Sequence, residues 1–289
     1  MSISPVDISV KPAHAADGAY PTAGGLRDLV YGAVQRMRAQ LYHETLEALS
    51  PTRCVGCERL GPLVCDRCLN ALTLIDPVHS CCSCGAPYGD LLCTECARDR
   101  LHAMPERSEG AADAANSPLD RCLAMAVYEG PLPRMIRGYK DAGERRMAPL
   151  FAQLLADTAL HAQFEAPTRY GGLVAQADAL VFVPVTARAY RRRGFDHMEA
   201  VARPLAQLLG LPMLDALVKH GKTDQRELDR EERQRQSRGV YQVVAPVAGM
   251  RLLLVDDVVT TGATMRAVAA ALKDAGAVSV DGLALARVW

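Results

Sequence analysis

The sequence predicts an α/β fold, a parallel sheet flanked by helices and preceded by a small cysteine-rich domain. Three observations predict it. Leu252-Leu253-Leu254-Val255 is a run of aliphatics bounded by Gly249 and by Asp256-Asp257, which reads as a short strand buried on both faces. Beyond it, Ala263, Val268, Ala269 and Leu272 recur at helical spacing and Gly276 is placed to end the helix, giving strand, loop, helix. Far upstream, Cys54-x-x-Cys57, Cys65-x-x-Cys68, Cys81-x-x-Cys84 and Cys93-x-x-Cys96 form four knuckles in one short segment, with Cys82 among them and only Cys122 elsewhere.

Bulk properties set the frame for these elements. The chain has 289 residues, of which 49% are hydrophobic, so two domains with a real core are expected. A formal net charge of zero argues against general nucleic-acid adhesion and leaves local basic patches open. No apolar run approaches bilayer length. Ala13-His14-Ala15 is not preceded by an apolar segment, so no signal peptide is read and a cytoplasmic location is expected.

In chain order, residues 1–24 are rich in Pro, Ala and Gly and read as a disordered extension. Leu26, Leu29, Val30, Ala33, Val34, Met37 and Leu41 then trace an amphipathic helix over 25–50, stopped by Pro51, whose stripe is expected to pack on the protein's own body. Residues 51–98 hold the knuckles. Each presents two thiolates to one tetrahedral ion, and four pairs imply two structural zincs in a segment too short to fold on its own core. Sequential ribbons are favoured, the first from Cys54, Cys57, Cys65 and Cys68 and the second from Cys81, Cys84, Cys93 and Cys96. Interleaved pairing, a single zinc with spare thiols, and a redox-active Cys-x-x-Cys are the alternatives. Cys82 and His79 are read as bystanders, and Gly56, Gly61 and Gly85 as turn positions beside sulfur.

Residues 99–119 shift to Ala, Ser, Glu, Asp and Pro without periodicity and read as a linker. The second domain, 120–289, opens with a strand at Leu123–Tyr128, a short helix over Arg134–Tyr139 and a longer one from Pro149 to Leu160. Leu180–Val185 is the next buried strand. Thr186-Ala187-Arg188-Ala189-Tyr190-Arg191-Arg192-Arg193-Gly194-Phe195 follows as a basic loop at its carboxyl end, suited to pyrophosphate because Arg donates in a rigid fork. A solvated loop and a contact for nucleic-acid phosphates are the competing readings. After a helix over Met198–Leu209 comes Thr223–Gly239, dense in charge of both signs. It is either a solvent-facing helix or a mobile flap over a reacting bond. A last strand, or two strands broken at Asp281-Gly282, closes the chain.

The chemistry concentrates after the Leu252–Val255 strand. Thr260, Thr261, Gly262 and Thr264 place hydroxyls and an approachable backbone at a helix start, whose free N–H groups and dipole favour an anion. No Lys follows the glycine as a Walker loop requires. Asp256 and Asp257 repel phosphate but suit the vicinal hydroxyls of a ribose, or a divalent cation bridged through them. A sugar phosphate is the ligand these residues suggest.

Val255-Asp256-Asp257-Val258-Val259-Thr260-Thr261-Gly262-Ala263-Thr264 resembles, without a gap, the 5-phosphoribosyl-1-pyrophosphate (PRPP) signature of type I phosphoribosyltransferases. Together with the four knuckles, the chain from about Pro51 onward resembles the ComF family of bacterial competence proteins. The likeness includes Lys140 with Gly143, the Pro184-Val185 strand end, Arg193-Gly194-Phe195, Thr223 with Gln225, Arg233, and Gly239 to Tyr241. It implies a type I phosphoribosyltransferase-like sheet behind a double zinc ribbon. It further implies Mg²⁺-dependent transfer of phosphoribosyl from PRPP to an unknown acceptor, nucleobase or amine, with release of pyrophosphate. Asp256 and Asp257 would hold the ribose hydroxyls, Val258 to Thr264 the 5-phosphate, and Arg193, with Lys140 and Arg188, the pyrophosphate. A partner among single-stranded DNA or DNA-uptake proteins is implied by family analogy. A non-catalytic PRPP or nucleotide sensor with structural ribbons is the rival reading, and an amidophosphoribosyl activity has only the shared fold behind it. The chain departs from the family at Asp196-His197, where Asn-Gln is usual, and at Gln236, where Asn is usual; these changes bear on the acceptor side and leave the anion-binding residues intact.

Overall fold

Five parallel strands form the sheet at the centre of the molecule. In the computed structural model the described residues are 51–89, 91–102, 117–220 and 240–289, with Gly32 and Val34. The extension over 1–24, the linker's residues 103–116 and the charged stretch 223–239 lie outside them. Of the helix expected over 25–50, Gly32 and Val34 are described; both are helical, and Val34 is buried in the main core.

The strands are β1 (Arg121–Val127), β2 (Ala179–Phe182), β3 (Met213–Leu214), β6 (Arg251–Val259) and β7 (Ser279–Arg287), in the order β1-β7-β6-β2-β3. A separate antiparallel pair joins β4 (Leu217–Lys219) to β5 (Tyr241–Val243). β6 runs past the aliphatic stretch to Val259, so both acids sit in the strand's last turns of pleat rather than in a loop. β7 is continuous through Asp281-Gly282: Asp281 pairs with Arg121 and takes its guanidinium in two bonds, which keeps a buried acid satisfied inside a strand.

Both faces of the sheet are covered, as continuous aliphatic strands require. One face packs α3 (Leu132–Lys140), α4 (Met147–Glu165) and α7 (His197–Leu209) around Leu253, Val255 and Leu285. The other packs α8 (Ala263–Asp274) and the β4–β5 pair around Leu252, Leu254 and Ala284. In α8 the buried stripe runs through Met265, Val268, Ala269 and Leu272; Ala263, expected in it, is exposed because the helix begins there.

The basic segment after β2 is a helix, α6 (Ala187–Arg193), and not the loop expected. Thr186 Oγ accepts from the Ala189 amide at 3.2 Å to cap its start, and Gly194 ends it in the left-handed conformation at φ 74°. Two short helices, α1 (Asp66–Asn70) and α2 (Thr94–His102), belong to the cysteine-rich part, and α5 (Pro167–Tyr170) follows α4.

The cysteine-rich part is built onto the sheet rather than hung from it. Thr73 to Ile75 pair antiparallel with β1 (Val127 N–H to Thr73 O, 2.8 Å; Ile75 N–H to Met125 O, 2.9 Å), which covers an edge that would otherwise be open. Cys54, Val64, Cys68, Leu69 and Leu72 lie in the same buried cluster as α3 and α4. Gly138 of α3 is a point of close approach: a Cβ there would stand 2.3 Å from Val55 Cγ1.

Candidate functional site

Connections leave β2 toward β3 and leave β6 toward β7, in opposite directions, so the carboxyl ends of β2 and β6 flank the crevice where open α/β sheets take ligands. Asp256 and Asp257 lie in the carboxyl-terminal half of β6, toward that crevice. Strand alternation sends them to opposite faces. Asp257 meets Lys140 Nζ at 2.7 Å and His197 Nε2 at 3.2 Å, on the face of α3 and α7. Asp256 lies on the other face, within the field of Lys219, and accepts from the Asp257 amide at 2.9 Å.

Opposite surroundings give the two acids opposite titration. Burial and the neighbouring Asp257 charge push the Asp256 carboxyl up to about 8. Burial also works to raise Asp257, but the His197 contact and the Lys140 ammonium outweigh it and hold that carboxyl below the usual range. The crevice therefore presents one carboxylate already paired with a cation and one carboxyl that keeps its proton near neutral pH.

After β6 the chain turns through exposed Thr260 and Thr261 to Gly262, which stands at φ 73° before α8. A glycine suits this left-handed position, and it leaves the helix start without a side-chain cap. Arg266, one turn into α8, folds back to donate to Thr261 O at 2.9 Å, setting a cation beside the first turn of the helix.

Of the other expected site residues, Lys140 is brought to Asp257, as above. Arg193 is drawn to the same end of α3 but is engaged there, its Nη2 3.0 Å from Asp141 Oδ1. Arg188 is exposed on α6. Val258 and Val259 continue β6. Asp196 and His197 both have structural roles. Asp196 caps α7 by accepting from the Met198 and Glu199 amides and ties it to the end of β2 through the Val185 amide. His197 is buried against Asp257, with its Nδ1 also buried and without a hydrogen-bond partner. Sequence reasoning noted His197 only as a departure, and it passed over Lys219, Arg266 and Arg287. A charged residue closing the apolar run Leu283–Ala286 was the available signal for the last.

The cysteines group as sequential ribbons, Cys54, Cys57, Cys65 and Cys68 in one set and Cys81, Cys84, Cys93 and Cys96 in the other, each with all ligand atoms within 4.8 Å. Sulfurs stand 3.6 Å apart at Cys54–Cys68 and 3.7 Å apart at Cys57–Cys65 and Cys84–Cys93. Tetrahedral zinc with bonds of about 2.3 Å separates its sulfurs by about 3.8 Å, so both sets fit the ion. The Cys65 and Cys96 amides point at Cys54 and Cys93 sulfur, as in thiolate sites generally. Cys82 and His79 belong to neither set.

Among the described residues no helix is long and apolar enough to cross a membrane. Residues 194–287 match the family described as Phosphoribosyl transferase domain. The DNA utilization protein YhgH of Salmonella typhi is 29% identical over 228 residues, 78% of this chain and 90% of that protein. Its counterpart in Escherichia coli O157:H7 is 30% identical over 213 residues, 73% of this chain and 90% of its own length. Competence protein ComFC of Streptococcus pneumoniae is 31% identical over 164 residues, 57% of this chain and 67% of that one. With a relative 30% identical and covered over 90% of its length, and with DNA-utilization and competence proteins alike among the matches, the chain belongs to the ComF family.

Proposed function

We propose that the crevice binds PRPP and transfers its phosphoribosyl group to an acceptor nucleophile, releasing pyrophosphate. The observation that carries this reading is the placement of Asp256 and Asp257 at the strand end beside the Gly262 turn into α8, with Lys140 2.7 Å from Asp257. The amides at the start of α8, with the Thr260, Thr261 and Thr264 hydroxyls, take the 5-phosphate. Asp256 and Asp257 hydrogen-bond the ribose hydroxyls, and the Asp257 carboxylate offsets the positive charge that grows on the sugar. Lys140, released from Asp257 as the diol takes its place, turns to the pyrophosphate. The bond from the anomeric carbon to pyrophosphate breaks with its electron pair leaving on oxygen, and the acceptor's lone pair forms the new bond from the opposite face. Mg²⁺ supplies neutralisation of the departing pyrophosphate when bound, and two carboxyl groups are oxygen donors of the kind it takes.

A non-catalytic PRPP sensor is favoured by one observation: Arg193, the expected grip on pyrophosphate, is held by Asp141. The partner is inferred from the relatives' names to be DNA or a DNA-uptake protein, and exposed Arg188, Tyr190, Arg191 and Arg192 on α6 are cations and a stacking ring of the sort single strands bind. Calorimetry with PRPP and Mg²⁺ tests the ligand. Pyrophosphate release across a panel of bases and amines tests turnover, and silence throughout with binding intact selects the sensor.

A further inference from the structure

Arg287, the last residue of β7, is 4% exposed, and its guanidinium joins two parts of the molecule. On one side Nε donates to Cys84 O at 3.0 Å and Nη2 approaches Cys84 Sγ at 3.7 Å, within the second cysteine set. On the other, Nη1 donates to Thr260 O at 2.5 Å, at the entrance of the phosphate turn, and also to Val288 O. A buried guanidinium needs a countercharge. The carboxylate it meets, Glu95, stands 4.0 Å away and is 64% exposed on its side chain. Four thiolates around a divalent zinc carry a net double negative charge, which supplies what Glu95 does not.

We infer that Arg287 is a positioning residue through which metal occupancy of the Cys81, Cys84, Cys93 and Cys96 set orients the phosphate turn, so that zinc there and PRPP bind cooperatively. The geometry states how. In a planar trans peptide the carbonyl and the following amide point opposite ways, so pinning Thr260 O toward Arg287 directs the Thr261 N–H away from it. With the zinc-thiolate charge removed, the guanidinium loses the partner that holds it buried and Thr260 O loses its fixed donor. The first cysteine set has no such link among the described residues; it presses on α3 through Val55 and Gly138. Coupling of this kind is reciprocal. The inference rests on the reading of the turn as a phosphate site.

Two measurements on the full-length zinc-loaded protein test it. Amide hydrogen exchange of the peptide spanning Thr260–Thr264, without ligand, is expected to quicken about fivefold in Arg287→Gln and less in Arg287→Lys, with exchange in the middle of β6 and zinc content unchanged. Unchanged turn exchange overturns the strut, and equal acceleration throughout β6 and β7 reduces Arg287 to a general structural role. Second, cysteine alkylation under a zinc-selective chelator, followed by mass spectrometry, is expected to slow about tenfold with PRPP and Mg²⁺ at the second set alone, and not at all in Arg287→Gln at saturating PRPP. Equal protection of both sets, or protection surviving in Arg287→Gln, overturns the coupling. If the wild-type protein binds no PRPP by calorimetry, the ligand reading and the cooperative half fall together, while the exchange result still decides the strut.

Discussion

His197 Nε2 stands 3.2 Å from Asp257 Oδ2, so the first residue of α7 is in contact with the second of the two adjacent acids of β6. Lys140 approaches the same oxygen at 2.7 Å. The carboxylate is held by two side chains from two helices of one face, and its replacement has consequences for both.

Asp257→Asn is expected to weaken PRPP binding by tenfold or more and to cost on the order of 1–3 kcal/mol of stability, because Lys140 loses its anionic partner and His197 is left with a neutral amide in place of a carboxylate. His197→Gln, which keeps a side chain able to donate to Asp257, is expected to keep binding within about threefold. Calorimetry and denaturant unfolding check both, and equal losses in the two variants would show that His197 does more than orient the acid.

Asp256 titrates in the opposite sense. Its folded pKa of about 8 lies above the unfolded carboxyl value of about 3.9, so the folded protein holds a proton that the unfolded chain gives up. This contribution to stability is fully present below pH ~4 and is lost as pH rises through about 8. Asp256→Asn removes the slope, and above pH ~8 the variant is expected to be more stable than the parent by on the order of 1 kcal/mol, while binding PRPP less tightly. Urea midpoints from pH 5 to 9 measure it; parallel profiles for parent and variant would contradict a protonated Asp256.

Elemental analysis is expected to return about two zincs per chain, one for each four-cysteine set. Chelation should lower the unfolding temperature of the transferase part as well, since Cys54, Cys68 and Leu72 share its core. A metal-free preparation with an unchanged melting curve would exclude structural zinc.

Gly138→Ala sets two effects of opposite sign against each other. In a helix interior the alanine should gain about 1 kcal/mol. Its Cβ would meet Val55 Cγ1 at 2.3 Å, and a β-branched side chain held between Cys54 and Gly56 has little room to yield. The overlap is expected to win, with a net loss of about 1–3 kcal/mol and displacement of the first ribbon from the helix carrying Lys140. Thermal unfolding gives the sign, and a stabilised variant would mean that Val55 rotates aside.

Much of this molecule is written locally. Aliphatic runs name β2 and β6, helical periodicity names α8, Cys-x-x-Cys spacing names the two four-cysteine sets, and Gly262 among threonines marks the turn into α8, because each signal lies within a few residues of what it specifies. The basic segment at Ala187–Arg193 was misread as loop because its helix makes no buried stripe; a threonine cap and a terminal glycine alone define it. What the tertiary structure decided is who meets whom across the chain. Asp257 owes its low pKa to His197, 60 residues away, and Lys140, 117 residues away, and Asp256 its high one to burial on the far face of the same strand. Arg287 meets Cys84 across 203 positions. Adjacent acids look alike in sequence, and a strand's two-residue period alone sends them to opposite faces, where different neighbours and different solvation determine their charge.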